Sequence, residues 1–186
     1  MLTLGQNMTC IVAYAKDNKV VMGGDSAGVS DYSMLVRGDQ KVFQNGEYLI
    51  GFTTSFRMGQ LLRYKFSPSP CPDWDLEKHM TTTFIDEVRS CFSKNGFDKK
   101  MTAGEHAGGT FLVATRGRIF EVGDDFQLGW NQFPYGAVGC GHHLAYGAMY
   151  GLHKQECEPE LIVRTALEAA AEFSAGVRGP FHIMSL

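Results

Sequence analysis

Three polar residues in the first quarter of the chain, Thr9, Asp25 and Lys41, have the side-chain types that a hydrolytic site needs. A neutral threonine hydroxyl is a poor nucleophile and requires a base beside it. An α-amine titrates at about 7.7–8.0, close to working pH, where a general base acts best. A threonine at a chain terminus therefore carries nucleophile and base on one residue. A lysine beside it adds positive charge, and an aspartate holds the lysine in place. Asp25 lies 16 positions after Thr9, and Lys41 lies 32 after it. If Lys41 were the neutral base, its pKa would have to drop from ~10.4 to near neutrality, roughly 4 kcal/mol, and Asp25 opposes that drop. The terminal amine, acting directly or through water, is the expected base, with Lys41 cationic.

These residues must be positioned by secondary structure, and the sequence supplies it. Cys10–Ala15 and Val20–Gly24 read as a hairpin across Lys16-Asp17-Asn18-Lys19. Lys41–Phe43 and Tyr48–Thr53 make a second around Asn45-Gly46, the strongest short turn signal in the chain. Ser55–Tyr64 is helical in character and stops at Ser67-Pro68-Ser69-Pro70-Cys71-Pro72. Asp75 is a candidate N-cap for a second helix to about Lys94, with Leu76, Met80, Phe84, Val88 and Cys91 or Phe92 on one side. Asn95–Gly109 reads as a polar loop. Strands return at Thr110–Ala114, Ile119–Val122 and Gly136–Gly139, then helices at His142–His153 and Pro159–Gly176, and a closing strand at Phe181–Met184. Segregated runs of strands and helices favour an α+β fold over a doubly wound one. Two strand sets and two helix pairs predict a four-layer αββα sandwich, two antiparallel sheets between helix layers. Without an internal repeat or linker, residues 9–186 read as one domain, preceded by an extension at 1–8.

Met8-Thr9-Cys10-Ile11-Val12-Ala13-Tyr14, Val21-Met22-Gly23-Gly24-Asp25-Ser26 and Asp39-Gln40-Lys41-Val42-Phe43 together resemble the start of proteasome β-subunits and of the HslV peptidase. These are N-terminal-nucleophile (Ntn) hydrolases, and the separations of Asp25 and Lys41 from Thr9 equal those of that family. Tyr48-Leu49-Ile50-Gly51-Phe52 resembles the strand lining the cleft, so Gly51, Thr53 and Thr54 are the expected oxyanion and cleft residues. Ala137-Val138-Gly139-Cys140-Gly141 resembles the family's Gly-Ser-Gly turn, and the last helix also runs in register. The chain departs from the family in three places. Thr53-Thr54-Ser55 stands where Ala or Gly is usual, Cys140 replaces a supporting Ser, and Glu172 with Ala175 replaces an Asp–Ser pair. Ser26, Cys140 and Glu172 are the expected supporting residues.

The resemblance implies a proteasome-like threonine peptidase acting on peptide or protein, assembled as a homo-oligomeric ring, with an ATP-dependent unfoldase as a possible partner. Thr9 would need a free amine. Either the Met8-Thr9 bond cleaves itself, or Met8 is the true start and methionine removal exposes Thr9. The second route is preferred, because Leu2–Asn7 has no feature of its own. The rival is a ring-forming structural or assembly protein that keeps the fold without turnover.

Other readings are weaker. Gly24-Asp25-Ser26-Ala27-Gly28 matches G-x-S-x-G, but that motif needs a helix directly after the serine and Val29–Met34 shows no helical period. Ser26 is therefore read as a neighbour of the Asp25–Lys41 pair. Cys10 reads as a small hydrophobe of a buried strand. His142, His143, His153 and Cys157 lack metal-ligand spacing, so neither metal nor cofactor is expected. The net charge of -3 argues against a nucleic-acid binder. No apolar run approaches the ~20 residues that span a bilayer. Five cysteines at irregular spacing do not suggest a disulfide framework, and a reducing cytoplasm is the expected compartment.

Overall fold

Alternation along one strand decides how the layers stack. In the computed structural model, which describes residues 8–30, 33–97, 99–100 and 106–186, β1 (Ile11–Lys16) turns Ile11 and Ala13 to one side and Val12 and Tyr14 to the other. The first pair joins a core with Val42, Leu49 and Leu112 of the opposing sheet. The second pair packs beneath two C-terminal helices. A strand buried on both faces must be a middle layer.

β2 (Lys19–Gly24) pairs with β1 through Asp17 and Asn18, both at positive φ (51° and 61°). Asn and Asp tolerate the left-handed region that a two-residue hairpin turn requires. β3 (Ala27–Ser30) and β4 (Ser33–Val36) form a separate hairpin. β5 (Val42–Asn45) and β6 (Tyr48–Phe52) meet across Gly46, at φ 60°. Helix α1 (Phe56–Tyr64) starts at Ser55, whose hydroxyl accepts from the Met58 amide at 3.4 Å.

Asp75 caps the next helix, accepting from the Lys78 amide at 3.0 Å. α2 (Leu76–His79) runs through a π-helical segment, Met80–Phe84, into α3 (Ile85–Lys94). Within the expected polar loop, β7 (Lys99–Lys100) pairs with β8 (His106–Ala107); residues 98 and 101–105 lie outside the described residues, as do residues 1–7 of the expected extension. β9 (Phe111–Thr115), β10 (Arg118–Val122), β11 (Leu128–Gly129) and β12 (Tyr135–Val138) follow. Then come α4 (His142–Lys154), α5 (Pro159–Phe173) and β13 (His182–Ser185). The last helix ends three residues earlier than its composition suggests, because Ser174 is extended (φ -116°, ψ 120°).

The two main sheets are antiparallel, ordered β12-β1-β2-β13 and β11-β10-β9-β6-β5. α4 and α5 cover the first, and α1, α2 and α3 cover the second. The expected αββα sandwich of α+β class is the architecture observed. Among the described residues, no helix is long and apolar enough to cross a membrane.

Candidate active site

Thr9 lies two residues before the start of β1, Asp25 immediately follows β2, and Lys41 immediately precedes β5. Antiparallel pairing sets Ile11 opposite Gly24, so Asp25 folds back over the start of β1. Its carboxylate accepts from the amides of Cys10 (3.0 Å), Ala27 (2.8 Å) and Arg178 (3.3 Å). Lys41 reaches across from the other sheet. Its Nζ donates to Asp25 Oδ1 at 2.8 Å, to the Ala27 carbonyl at 2.7 Å, and to Thr9 Oγ1. Thr9, Asp25 and Lys41 are only 3%, 1% and 2% exposed, so this polar triangle sits inside the protein.

Every partner of Asp25 is a donor, the pattern of an ionised carboxylate. Burial lowers the pKa of Lys41, and the adjacent Asp25 charge opposes that fall. An ammonium has three hydrogens, and Nζ has three acceptors. A neutral amine would leave the buried Asp25 charge uncompensated, which is the costlier state. The geometry therefore suits a cationic Lys41 that polarises the threonine oxygen. Cys10 faces the α4–α5 side, and burial pushes its thiol well above its ordinary range, so it is no thiolate nucleophile.

A small cleft of about 90 Å³ opens on Thr9 and Lys41, bordered by Met8, Val29, Thr53, Thr54 and Phe56. Its far wall is tightly turned. The Thr53 amide is held by the Thr110 carbonyl at 3.1 Å, and the Ser55 amide donates to the Thr53 carbonyl at 2.7 Å. Thr54 between them has φ 67°, a rare conformation for a β-branched residue. Its hydroxyl pins the turn by accepting from the Thr110 amide at 3.1 Å. The Thr54 amide itself has no partner among the described residues. Thr53 Oγ1 is buried and unpartnered on the same wall.

Gly51 is not where the sequence places it. It lies between the sheets, where a Cβ would meet Ile11 Cγ2 at 2.5 Å and Met22 Sδ at 2.8 Å. Glycine here permits close packing of the layers beneath the site, and the cleft lining begins at the next residue, Phe52. Ser26, next to Asp25, donates its hydroxyl to the Pro180 carbonyl at 2.6 Å and makes no hydrogen bond to Lys41 among the described residues. The chain then enters β3, so the helix required by a nucleophile elbow is missing. Glu172 is exposed and makes no hydrogen bond or ion pair among the described residues. Its neighbour Ser174, passed over in the sequence, is the residue that meets Cys140, with Oγ and Sγ 3.4 Å apart. Polar periodicity within a helix gives no hint of a contact made by the residue that ends it. His142 Nδ1 contacts the Gly139 carbonyl (2.6 Å) and His153 Nδ1 contacts Tyr14 Oη (2.8 Å), both structural arrangements.

Gly139 is required. It sits at φ 97°, and a Cβ there would strike the carbonyl of Thr9. Gly139→Ala should cost about 3 kcal/mol, combining backbone strain with displacement of Thr9. Urea denaturation checks this; an unchanged midpoint would contradict the packing of the turn against Thr9.

No protein-family model matches the chain, and no curated protein gives a significant match. Solved structures do. Thiobacillus denitrificans BPH in complex with Epoxomicin superposes with TM-score 0.80 at 18% identity, covering 96% of this chain and 98% of that one. A second BPH structure gives 0.79 at 17%, and eukaryotic HslV from Trypanosoma brucei gives 0.69 at 17%, covering 96% of this chain and 99% of HslV. The chain has the HslV-type Ntn hydrolase fold. Agreement over the full length of both chains at so low an identity is agreement of layers and connections. Within the Ntn fold, the ends of β1, β2 and β5 bring Thr9, Asp25 and Lys41 together, and the wall after β6 bounds the cleft.

Proposed function

We propose that the chain is a proteasome-like threonine peptidase in which Thr9, freed as an amino terminus by removal of residues 1–8, attacks peptide bonds. Residues 9–186 are then the single working domain. The observation carrying this reading is the buried contact of Lys41 Nζ with both Thr9 Oγ1 and Asp25. Thr9 Oγ adds to the substrate carbonyl while the Thr9 amine, directly or through water, takes the hydroxyl proton. Lys41 stays cationic and lowers the cost of negative charge on Oγ. The Thr54 amide, unpartnered among the described residues, donates to the oxyanion. Collapse of the tetrahedral adduct breaks the C–N bond, and the amine leaves with the proton. Water then hydrolyses the resulting ester by the same route in reverse.

The BPH structure in complex with Epoxomicin supplies the test. An epoxyketone warhead reacts with an N-terminal threonine through both hydroxyl and free amine. Protein beginning at Thr9 should gain the mass of one epoxomicin molecule; Thr9→Ala and protein retaining Met8 should gain none. An unlabelled Thr9-initiated protein would overturn the reading. The intact mass of expressed full-length protein further separates self-cleavage at Met8-Thr9, which Thr9→Ala would abolish, from methionine removal at an internal start.

A homo-oligomeric ring fits the exposed apolar side chains, with Leu35 and Val36 on the β3–β4 hairpin and Tyr150, Leu161 and Phe173 on α4 and α5. Cytoplasmic location and supply of unfolded substrate by an ATP-dependent unfoldase belong to the same proposal. One observation favours the rival reading of an inert shell: the Ser55 amide, one of the donors nearest the cleft, is consumed by the Thr53 carbonyl. The epoxomicin result discriminates the two.

A further inference from the structure

A second and much larger concavity, about 680 Å³, lies where the edges of the two sheets part. It shares no residue with the cleft at Thr9. Ala15, toward the far end of β1, lines it, whereas Thr9 precedes the near end. Its size is that of an ordinary small-molecule site.

The lining combines a carboxylate with aromatic surfaces. On β10, Phe120 and Val122 enter the core under the helices, so Ile119 and Glu121 face the opposing sheet. Ile119 packs against the inter-sheet core. Glu121 lines the groove and is solvent-exposed along part of its length; the part that is covered raises its pKa, and nearby His142 partly offsets the rise. It has no hydrogen bond or ion pair among the described residues. His142 does not fill that role, since its Nδ1 is engaged with the Gly139 carbonyl. Around it stand Trp130 and Phe133, 45% and 47% exposed, with Tyr135 stacked on Phe133 (5.5 Å between centroids) and Tyr146 behind. Arg118 also lines the groove: it pairs with Glu77 at 2.8 Å, and its guanidinium lies over the Trp130 ring, 5.4 Å from the centroid.

A partly desolvated carboxylate disfavours an anionic ligand, and a purely apolar one would bury it without a partner. Aromatic faces attract cations, more strongly when water is displaced. We infer that this groove binds an organic cation, an ammonium or guanidinium group on a flexible stem, with Glu121 as counter-charge and Phe133 and Tyr146 as its walls. The group belongs either to a free amine or to a basic side chain of a peptide.

The chain has two tryptophans, Trp130 in the groove and Trp74 outside it, so Trp74→Phe leaves Trp130 as the fluorescence reporter. Agmatine, which carries both head groups, should produce a saturable change in that signal, and 1,4-butanediol none. Glu121→Gln should weaken agmatine at least tenfold with an unchanged melting temperature, and Phe133→Ala should weaken it several-fold as an independent check. A capped arginine-containing peptide locates the source: tighter binding than agmatine assigns a peptide side chain, weaker binding a free amine. No saturable change up to about 10 mM agmatine at low salt, or equal affinity in Glu121→Gln, would overturn the inference. Thr9→Ala should bind agmatine unchanged, so this result does not depend on peptidase activity.

Discussion

Lys41→Ala in protein beginning at Thr9 is expected to lower hydrolysis of a fluorogenic peptide by about 10³-fold, the typical contribution of a positioned proton-handling group. Charge placement is the reason. Nζ contacts the oxygen that would attack, and among the described residues no other positively charged side chain borders the cleft. Arg37, the nearest candidate, is committed to Asp39 through two bonds of 2.7 and 2.6 Å and stacks over Phe56 at 3.8 Å. Removing Lys41 also strands the Asp25 charge, so Lys41→Met/Asp25→Asn is the companion variant. It should remain folded by circular dichroism and stay inactive. Retained turnover in either folded variant would remove Lys41 from the mechanism.

Asp25→Ala should destabilise the fold by about 3–5 kcal/mol, the cost of breaking one partner out of a buried ion pair. The loss is larger than a single contact suggests. The amides of Cys10, Ala27 and Arg178 lose their acceptor together with the Lys41 ammonium. With an urea m-value of roughly 2 kcal/mol per molar, the midpoint should fall by about 2 M. Adding Lys41→Met should recover part of that loss, because the stranded cation disappears while the unpaired amides remain. A shift below about 0.5 M would mean that the carboxylate is not the buried hub described.

The parts of the fold legible in the sequence are those where local chemistry and burial agree. The β1–β2 hairpin was readable because its apolar residues are buried and its turn is Asp17-Asn18, a pair that tolerates positive φ. Asp75 could be assigned as a cap because its side chain does what its position suggests. The β3–β4 hairpin was not readable. All four residues of β4 are exposed, so no alternation marks it. The helix after Asp75 was found, but not its π-helical segment. Apolar residues at every fourth position, Leu76, Met80, Phe84, Val88 and Phe92, drift by about 40° per step on a helix of 3.6 residues per turn. A wider turn at Met80–Phe84 offsets that drift and keeps Met80, Phe84, Val88 and Phe92 in one core. Thr81 and Thr82 hydroxyls bonding back to the carbonyls of Glu77 and Lys78 accompany it.

The site divides in the same way. The resemblance to the proteasome-type family related Thr9, Asp25 and Lys41 to each other, and hairpin register is what converts their separations along the chain into proximity. It could not locate the supporting residues. Gly51 versus Thr54 is a matter of where a strand stops and a turn starts, and Ser174 versus Glu172 of where a helix ends. Such limits depend on backbone angles at single residues, which composition does not encode.

Thr9 and Asp25 lie at strand ends of one sheet, and Lys41 lies at a strand end of the other. The chemistry is thus stretched across a seam held by apolar contact, with Ile11, Met22, Val42 and Leu49 as its lubricated but close-fitting surfaces. Sliding one layer past its neighbour by an ångström would separate lysine from threonine while leaving every hairpin intact. Anything that grips the two layers from outside would hold the lysine against the threonine without touching either side chain.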